Sequence, residues 1–460
     1  MTIDRAAGIV ANFANVSQVY DNGLCMGCGM CESICPSPGA ITIRLDKHKG
    51  VYSPVIDPQH CTQCGLCLRV CPGIGISLEK YAEQLHEGQH GPRLIGIFNE
   101  CYVGHATDEQ IRFNSASGGL VTALLLHAIK ENKIDGALVV GMSSENPLET
   151  QSFLATTPTE IISASGSKYC PVSLHKGLDR ILAEEGRFAV VGLPCQIHAI
   201  RKMETLHPTL REKIVLHLGI FCANSNTYWG TEYFLRRSGI DPREVRAIRY
   251  RSEGWPGKIS VTLSNGTKKI MPRGTTEKRW YRRAIFSSAF HFDFMIPRCL
   301  LCPDQTCELA DISLGDPWLK EYTQTERIGK SIAITRNSIG HAFLTAAVEA
   351  NKVSLEKMPV SIVAQAQNYG FKAGVGARIR LRQWASLAIP DYGERDLTFT
   401  KRDISAALRY LPSYFSHLQW LWPLIHLFAV LDRIRREFIN KSKAVVRFGL
   451  RRMGLGQKKL

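Results

Sequence analysis

No segment of this chain reads as a leader or as a membrane span. Met1 to Tyr20 has no basic start followed by a long apolar core, so a secretory leader is not expected. The longest apolar run, Leu418 to Leu431, covers about 14 residues and contains Pro423 and His426; a spanning helix needs about 20. A recognised nucleic-acid module is missing as well, which makes nucleic acid an unlikely partner for the basic charge. These absences point to a cytoplasmic protein whose only expected membrane contact is peripheral, on the inner face.

Fifteen cysteines stand in a chain of 460 residues that is 45% hydrophobic and 21% charged, an ordinary globular composition. A chain this long can bury a core without disulfide staples, so metal ligation is the better reading of its cysteines. The net charge of +16 is concentrated at one end. From Lys401 to Leu460 there are 13 Lys or Arg against Asp403, Asp432 and Glu437. The basic signal therefore belongs to the tail.

Cys25, Cys28, Cys31 and Cys35 follow the spacing C-x2-C-x2-C-x3-C before Pro36, and Cys61, Cys64, Cys67 and Cys71 repeat it before Pro72. Three thiolates at intervals of three can wrap one [4Fe–4S] cube. The fourth sulfur of such a run ligates the other cube in two-cluster ferredoxins. One cluster would take Cys25, Cys28, Cys31 and Cys71, the other Cys61, Cys64, Cys67 and Cys35. Gly27, Gly29 and Gly65 stand between ligands, where the backbone must turn sharply and can aim amides at sulfur. Strands are expected after each run, at Ala40–Ile43 and Gly75–Leu78. Structural zinc also takes C-x2-C pairs, but two identical four-cysteine runs closed by proline are rarely a zinc pattern.

From Arg93 the texture changes to a mixed α/β fold. Ile134–Val140, Phe188–Leu193 and Ile214–Ile220 read as buried strands, with helices over Gly119–Lys130 and Val172–Glu184. Asn265-Gly266 between Ile259–Leu263 and Lys268–Met271 signals a hairpin. Cys195 and Cys222 each follow a strand, where open α/β sheets place their sites, and Cys299 and Cys302 form a C-x2-C. These four are candidates for a third cluster. Cys195 and Cys222 read equally well as buried small hydrophobes.

Ser115-Ala116-Ser117-Gly118-Gly119, Gly166-Ser167-Lys168-Tyr169, Gly192-Leu193-Pro194-Cys195-Gln196, Phe221-Cys222, Cys299-x2-Cys302 and Ala310-Asp311-Ile312-Ser313-Leu314-Gly315-Asp316 occur in that order. In this the chain resembles the beta subunit of coenzyme F420-reducing hydrogenase and dehydrogenase. It is also similar to 7-hydroxymethyl chlorophyll a reductase, which shares the fused ferredoxin domain. The resemblance spans about residues 15 to 370. It implies FAD beside an iron–sulfur cluster, with Ser115, Ser117, Gly118, Gly119 and Lys168 at the flavin and Cys195, Cys222, Cys299 and Cys302 as ligands of the cluster next to it. Cys307 departs from a simple four-cysteine set and is a possible replacement ligand. The Ser-x-Ser-Gly-Gly loop suits a pyrophosphate at a helix start; an ordinary serine cap with glycine for close packing reads almost as well.

The expected organisation is a bacterial-type ferredoxin domain over 15–82, a larger mixed α/β flavin-binding domain over 93–375, and a basic amphipathic helical tail over 400–460. The expected activity is that of an iron–sulfur flavoprotein oxidoreductase, fed by ferredoxin or a partner redox subunit and acting on a small organic substrate, F420-like or another. An electron-transfer subunit without its own substrate, docking on a separate catalytic protein, is the alternative. In the tail, Trp420, Trp422 and Phe428 precede Arg433, Arg435, Arg436, Lys441, Lys443, Arg447, Arg451 and Arg452. That order suits either an interfacial helix on anionic lipid or a helix capping the body. Asp311, Asp316, His198 and Tyr169 are possible proton carriers, and Cys101 and Cys170 read as buried thiols.

Overall fold

A computed structural model of the protein describes residues 13–274, 277–367 and 369–435. Both cysteine runs form tight loops opening one-turn helices, Met30–Ser33 and Leu66–Arg69. Gly29 and Gly65 start those helices with φ of 88° and 74°, a backbone that side chains disfavour. Between the runs lies an antiparallel hairpin, β1 (Ile41–Asp46) and β2 (Val51–Ile56), in register Ile41 to Ile56. The strand expected at Ala40–Ile43 is therefore present, whereas Gly75–Leu78 is not a strand. Gly75 makes a single bridge to Asp391, and the helix Leu78–Leu85 begins directly after Ser77. The partner of β1 is Val51–Ile56, a strand not expected from the sequence because its Pro54 weakens the signal.

The body is built on one eight-stranded sheet. Its strands are β3 (Glu100–Ala106), β4 (Gly136–Met142), β5 (Thr150–Ala155), β6 (Phe188–Gly192) and β7 (Ile214–Ile220). They are completed later in the chain by β11 (Ile312–Gly315), β12 (Ser331–Thr335) and β13 (Val353–Lys357). The order across the sheet is β13-β3-β12-β11-β7-β6-β4-β5. The central four, β11, β7, β6 and β4, run parallel, and the outer pairings are antiparallel. β8 (Val245–Ser252), β9 (Lys258–Leu263) and β10 (Lys268–Pro272) make a separate antiparallel sheet. The Asn265-Gly266 hairpin joins β9 to β10 as expected. Helices cover Leu120–Lys130, His175–Ala183 and Pro194–Glu204.

One hydrophobic cluster runs through both parts of the chain. Val19 of the helix Val16–Asp21, with Leu24, Met30 and Val70 in and beside the cysteine loops, packs with Ile197, Ile200, Leu300 and Leu301 of the body. Val375, Ile379, Ala388 and Tyr392, beyond the last motif, join the same cluster. Hydrogen bonds tie the parts too: the indole of Trp229 donates to the His48 carbonyl at 2.9 Å, and the Tyr228 amide to the Gly50 carbonyl at 2.9 Å.

Towards the end of the described chain, a helix over 422–435 packs Trp422 and Ile425 among Tyr233, Phe234 and Phe294. Of the expected basic tail, Arg436, Lys441, Lys443, Arg447, Arg451 and Arg452 lie outside the described residues.

Candidate metal centres and cofactor site

Cys25, Cys28, Cys31 and Cys71 line one cavity, walled by Val16, Val19, Met30 and Pro72. Cys35 is not among its lining residues; its sulfur lies 3.5 Å from the Ser37 carbonyl oxygen. The donor set suits a negatively charged cluster. The Gly27 amide donates to the Cys25 sulfur at 3.3 Å, and amides of Gly73 and Ile74 face Cys71. Removal from water pushes the Cys28 thiol up to about 12, and repulsion from Cys71 adds to this against the pull of backbone amides. Binding iron would displace those protons. Zinc, at about 2.3 Å from each sulfur, would draw its ligands to within about 4 Å of one another. Four sulfurs spread around one cavity suit a four-iron cube better.

The other N-terminal group is nearer the surface. Cys64 is exposed, Cys35, Cys61 and Cys67 are half-buried, and Cys67 is raised by burial first, with Cys64 and Cys71 adding repulsion.

A third group forms inside the body, at the carboxyl ends of the parallel strands. Cys195 lies in the first turn of the helix Pro194–Glu204, just past β6, where Pro194 presets the backbone. Cys222 follows β7, and Cys299 and Cys302 lie in and just after the one-turn segment Pro297–Leu301. Burial raises the Cys195 thiol well above its ordinary value, and Cys222, Cys299, Cys302 and Cys28 all add repulsion. The Ser225 amide donates to the Cys299 sulfur at 3.3 Å. Lys372, 2% exposed, is the counter-charge. Burial opposes its charge, yet Cys302, Cys222 and Cys299 outweigh that and hold its pKa above the ordinary lysine value.

Cys28 and Cys71 of the first group and Cys299 of the inner one pack against the same hydrophobic cluster, which sets the two groups beside each other. Body residues clamp that boundary. The Leu174 amide donates to the Cys28 carbonyl at 2.9 Å, and Lys202 Nζ donates to the carbonyls of Cys71 at 2.9 Å and Gly75 at 3.2 Å. Arg298, fully buried, donates to the carbonyls of Gly73 at 3.0 Å and Pro72 at 3.1 Å while also acting on Cys299. None of these cations was legible in the sequence: Lys202 and Lys372 come from segments remote from the cysteines they serve, and Arg298, though next to Cys299, reaches the Pro72 and Gly73 carbonyls only through the fold.

The expected flavin residues gather on one side of the body, and several are already engaged within the chain. The Ser115 hydroxyl donates to the Ile111 carbonyl at 2.7 Å and the Ser117 hydroxyl to that of Lys330 at 2.5 Å; the Gly118 amide donates to Ser331 Oγ at 2.8 Å. A Cβ on Gly118 would lie 2.6 Å from the Gly104 carbonyl oxygen, so close strand packing explains that glycine. Gly119, at φ 78°, opens the helix Leu120–Lys130, whose first amides have no partner within the helix. Lys168 bonds the carbonyls of its own loop, including Gly166 at 2.9 Å, and burial lowers its pKa to about 8. Arg249 links the two motifs: it bonds the Asn114 carbonyl at 2.7 Å and acts electrostatically on Lys168.

Beside them stands a polar and aromatic wall that the sequence did not reveal. Arg251 makes a two-point pair with Asp316, both bonds 2.7 Å, and the Trp255 indole donates to the same carboxylate at 2.7 Å. Arg273 donates to the Tyr169 hydroxyl at 2.9 Å, and Trp255 and Trp318 stack with centroids 5.2 Å apart. Gln367 donates to the Asp316 carbonyl, and Gln305, whose own carbonyl accepts from the Cys222 amide at 2.8 Å, continues the line to the inner cysteines. Among the described residues, the buried Oε1 of Gln305 has no hydrogen-bond partner. A buried polar atom left in that position fits a group bound between Cys222 and this wall.

Of the possible proton carriers, Asp311 is held by its neighbours. It accepts from Arg201 at 2.8 Å, from the His217 amide at 2.7 Å and from Asn337 at 2.7 Å. Burial opposes its charge, but Arg201 and His217 outweigh it and hold the carboxyl far below its ordinary range. Asp311→Asn is expected to cost about 1–3 kcal/mol of stability, read by denaturant unfolding, because it breaks a buried network and leaves Arg201 and His217 with Glu204 as the remaining carboxylate, at 3.1 and 2.7 Å. A depressed carboxylate stabilises above its unfolded pKa of about 4 and loses that contribution as pH falls below it. The wild-type chain should therefore lose more stability on acidification than the variant.

His198 pairs with buried Asp304 at 2.9 Å. Cys307 packs on Gly219 of β7, where a Cβ would meet its sulfur at 2.5 Å, and its thiol is raised well above the ordinary value by burial first, with Asp304 and Cys222 adding to it. Cys101 and Cys170 are buried, their thiols each pushed up to about 12 by burial.

Three family profiles match the chain. The 4Fe-4S dicluster domain covers residues 24–73, and the N-terminal and C-terminal parts of the coenzyme F420 hydrogenase/dehydrogenase beta subunit cover 101–179 and 185–360. An uncharacterised protein of Methanocaldococcus jannaschii is 29% identical over 74% of this chain and 91% of its own length. The coenzyme F420 hydrogenase subunit beta of Methanothermobacter thermautotrophicus is 28% identical over 56% of this chain and 84% of its own. The chloroplastic 7-hydroxymethyl chlorophyll a reductase of Oryza sativa is 26% identical over 49% of this chain and 45% of its own.

Proposed function

Because the chain belongs to the coenzyme F420 hydrogenase/dehydrogenase beta-subunit family and carries a 4Fe-4S dicluster domain ahead of it, we propose that it passes electrons between two N-terminal clusters, an inner cluster and FAD to act on an organic substrate. Its family is one of oxidoreductases, and its dicluster domain makes it an iron–sulfur protein. The dicluster unit is taken as residues 15–82 and the flavin unit as 93–375.

Cys25, Cys28, Cys31 and Cys71 would hold the first cluster, and Cys61, Cys64, Cys67 and Cys35 the second. Cys195, Cys222, Cys299 and Cys302 would hold the inner one. The helix start after Gly119, with Lys168, would take the FAD pyrophosphate, and Gln305 Oε1 would meet the ring end. Bound there, the clusters carry single electrons and the flavin takes or gives two, so the set would convert between one-electron and two-electron chemistry. The exposed Cys64 marks the surface that a ferredoxin or partner redox subunit would approach. Trp255 and Trp318 would wall the substrate side beside Arg273 and the Arg251–Asp316 pair, an aromatic surface suited to a flat organic molecule.

The observation that carries this reading is that Cys28 and Cys71 of one group and Cys299 of another pack against the same hydrophobic cluster, with Arg298, next to Cys299, bonding the Gly73 and Pro72 carbonyls at 3.0 and 3.1 Å. The test is anaerobic mixing of the FAD-loaded protein with reduced ferredoxin. Cys28→Ser should slow flavin reduction at least tenfold with flavin content unchanged; equal rates would remove the N-terminal cysteines from the route. A second reading, a relay subunit without its own substrate, draws support from the relative that is named as a hydrogenase subunit. It requires that no FAD stay with the purified chain.

A further inference from the structure

The helix over 422–435 carries two apolar faces, and the fold covers only one. Trp422, Ile425 and Ala429 are buried, with the Trp422 ring 5.6 Å from that of Phe294 and 5.8 Å from that of Tyr233. The Tyr233 hydroxyl meets His426 Nδ1 at 2.8 Å, and Arg409 bonds both Asp432 and Asp293 at 3.0 Å. This face fixes the helix to the body. On the opposite side Leu424, Leu427, Phe428, Leu431 and Ile434 are all exposed, Leu424 at 60% and Leu431 at 55%. Their spacing of three, four, seven and ten residues from Leu424 makes one stripe along the helix. The segment leading into the helix adds Leu408, Leu411, Phe415 and Trp420, the last 72% exposed. An apolar surface of this extent on one element marks a docking face.

Charge selects the occupant. Arg433 and Arg435 close the described part of the helix, and the sequence continues with Arg436, Lys441, Lys443, Arg447, Arg451, Arg452, Lys458 and Lys459 against Glu437 alone. A second copy would bring two such basic segments together, and they would repel. An anionic lipid surface answers both features at once: leucine and phenylalanine enter the boundary between headgroups and acyl chains, tryptophan favours that depth, and each Lys or Arg near the surface adds about fivefold to binding. At about 1.5 Å per residue, a helix of this length reaches about two thirds of a hydrocarbon core of about 30 Å, and among the described residues no helix is long and apolar enough to cross a membrane.

We propose that the stripe Leu424, Leu427, Phe428, Leu431 and Ile434, with the basic residues that follow, holds the protein in the plane of an anionic membrane surface. The proposal is independent of the redox reading. Its test is flotation of the full chain with vesicles of phosphatidylcholine alone or with about one third phosphatidylglycerol, an anionic lipid. The wild type should float with the anionic vesicles and bind neutral ones, or either kind in high salt, at least tenfold more weakly. Leu427→Asn with Leu431→Asn should weaken anionic binding at least tenfold with iron content and sedimentation unchanged, both side chains being exposed. A wild type that ignores anionic vesicles would overturn the proposal, as would a double variant that floats equally well. A double variant that turns a sedimenting dimer into a monomer would assign the stripe to a second copy instead.

Discussion

Cys222→Ser should remove about four irons per chain, the content of one cube, and should slow passage of electrons from the N-terminal clusters to bound flavin by at least a hundredfold. The expectation follows from the neighbours of Cys222. Its thiol is raised by burial, lowered by Lys372, and raised again by Cys299 and Cys302, so four sulfurs and one ammonium share a small region at the ends of β6 and β7. A cysteine that served only as a small core residue would tolerate serine with a modest loss of stability and no change in iron. Iron and sulfide analysis of the variant, purified without oxygen beside the wild type, separates the two directly. Cys307→Ser is the control: its thiol is fully buried against Gly219, and it should leave iron unchanged while costing stability.

Lys372→Met should lower the reduction potential of the inner centre by something on the order of 60–90 mV with iron content intact. A unit charge roughly 8 Å from the added electron contributes about 2 kcal/mol at an effective dielectric near 20, and about 59 mV corresponds to a tenfold change for one electron. Lys372 is buried and stabilised by Cys302, Cys222 and Cys299, so its ammonium favours the reduced, more negative state. Methionine keeps most of the volume and removes the charge. A redox titration followed by paramagnetic resonance reads the shift; an unchanged potential would place Lys372 outside the field of the inner centre.

What the sequence made legible was what is local. The C-x2-C-x2-C-x3-C runs encode their own loops, because three-residue spacing with Gly29 and Gly65 at positive φ leaves the backbone few alternatives. The parallel strands β6 and β7 were readable as apolar runs, and so was the Asn265-Gly266 hairpin. The strand expected at Gly75–Leu78 is absent. Gly75–Leu78 looks strand-like, but the Gly75 backbone lies against Asp391 and the next residues turn into a helix. The Ser115–Gly119 loop was readable as a motif and less so as chemistry, since its hydroxyls and the Gly118 amide bond within the chain.

What stayed hidden is what long-range packing creates. Lys202, Arg298 and Lys372 look like ordinary basic residues in the sequence, and only the fold sets them around two cysteine groups. The wall of Arg251, Trp255, Asp316 and Trp318 joins segments about sixty residues apart through one carboxylate. In the tail, the apolar run allowed either a capping helix or an interfacial one. In the structure one face of that helix is buried, with Trp422 and Ile425, and the opposite face leaves Leu424 and Leu431 exposed.

The most direct test of the account is iron, acid-labile sulfide and flavin per chain in protein purified without oxygen, with low-temperature paramagnetic resonance of the reduced sample. About twelve irons, as three four-iron cubes give, together with one FAD is the expected result. About eight irons without flavin would contradict it, reducing Cys195, Cys222, Cys299 and Cys302 to buried thiols and the chain to a two-cluster relay.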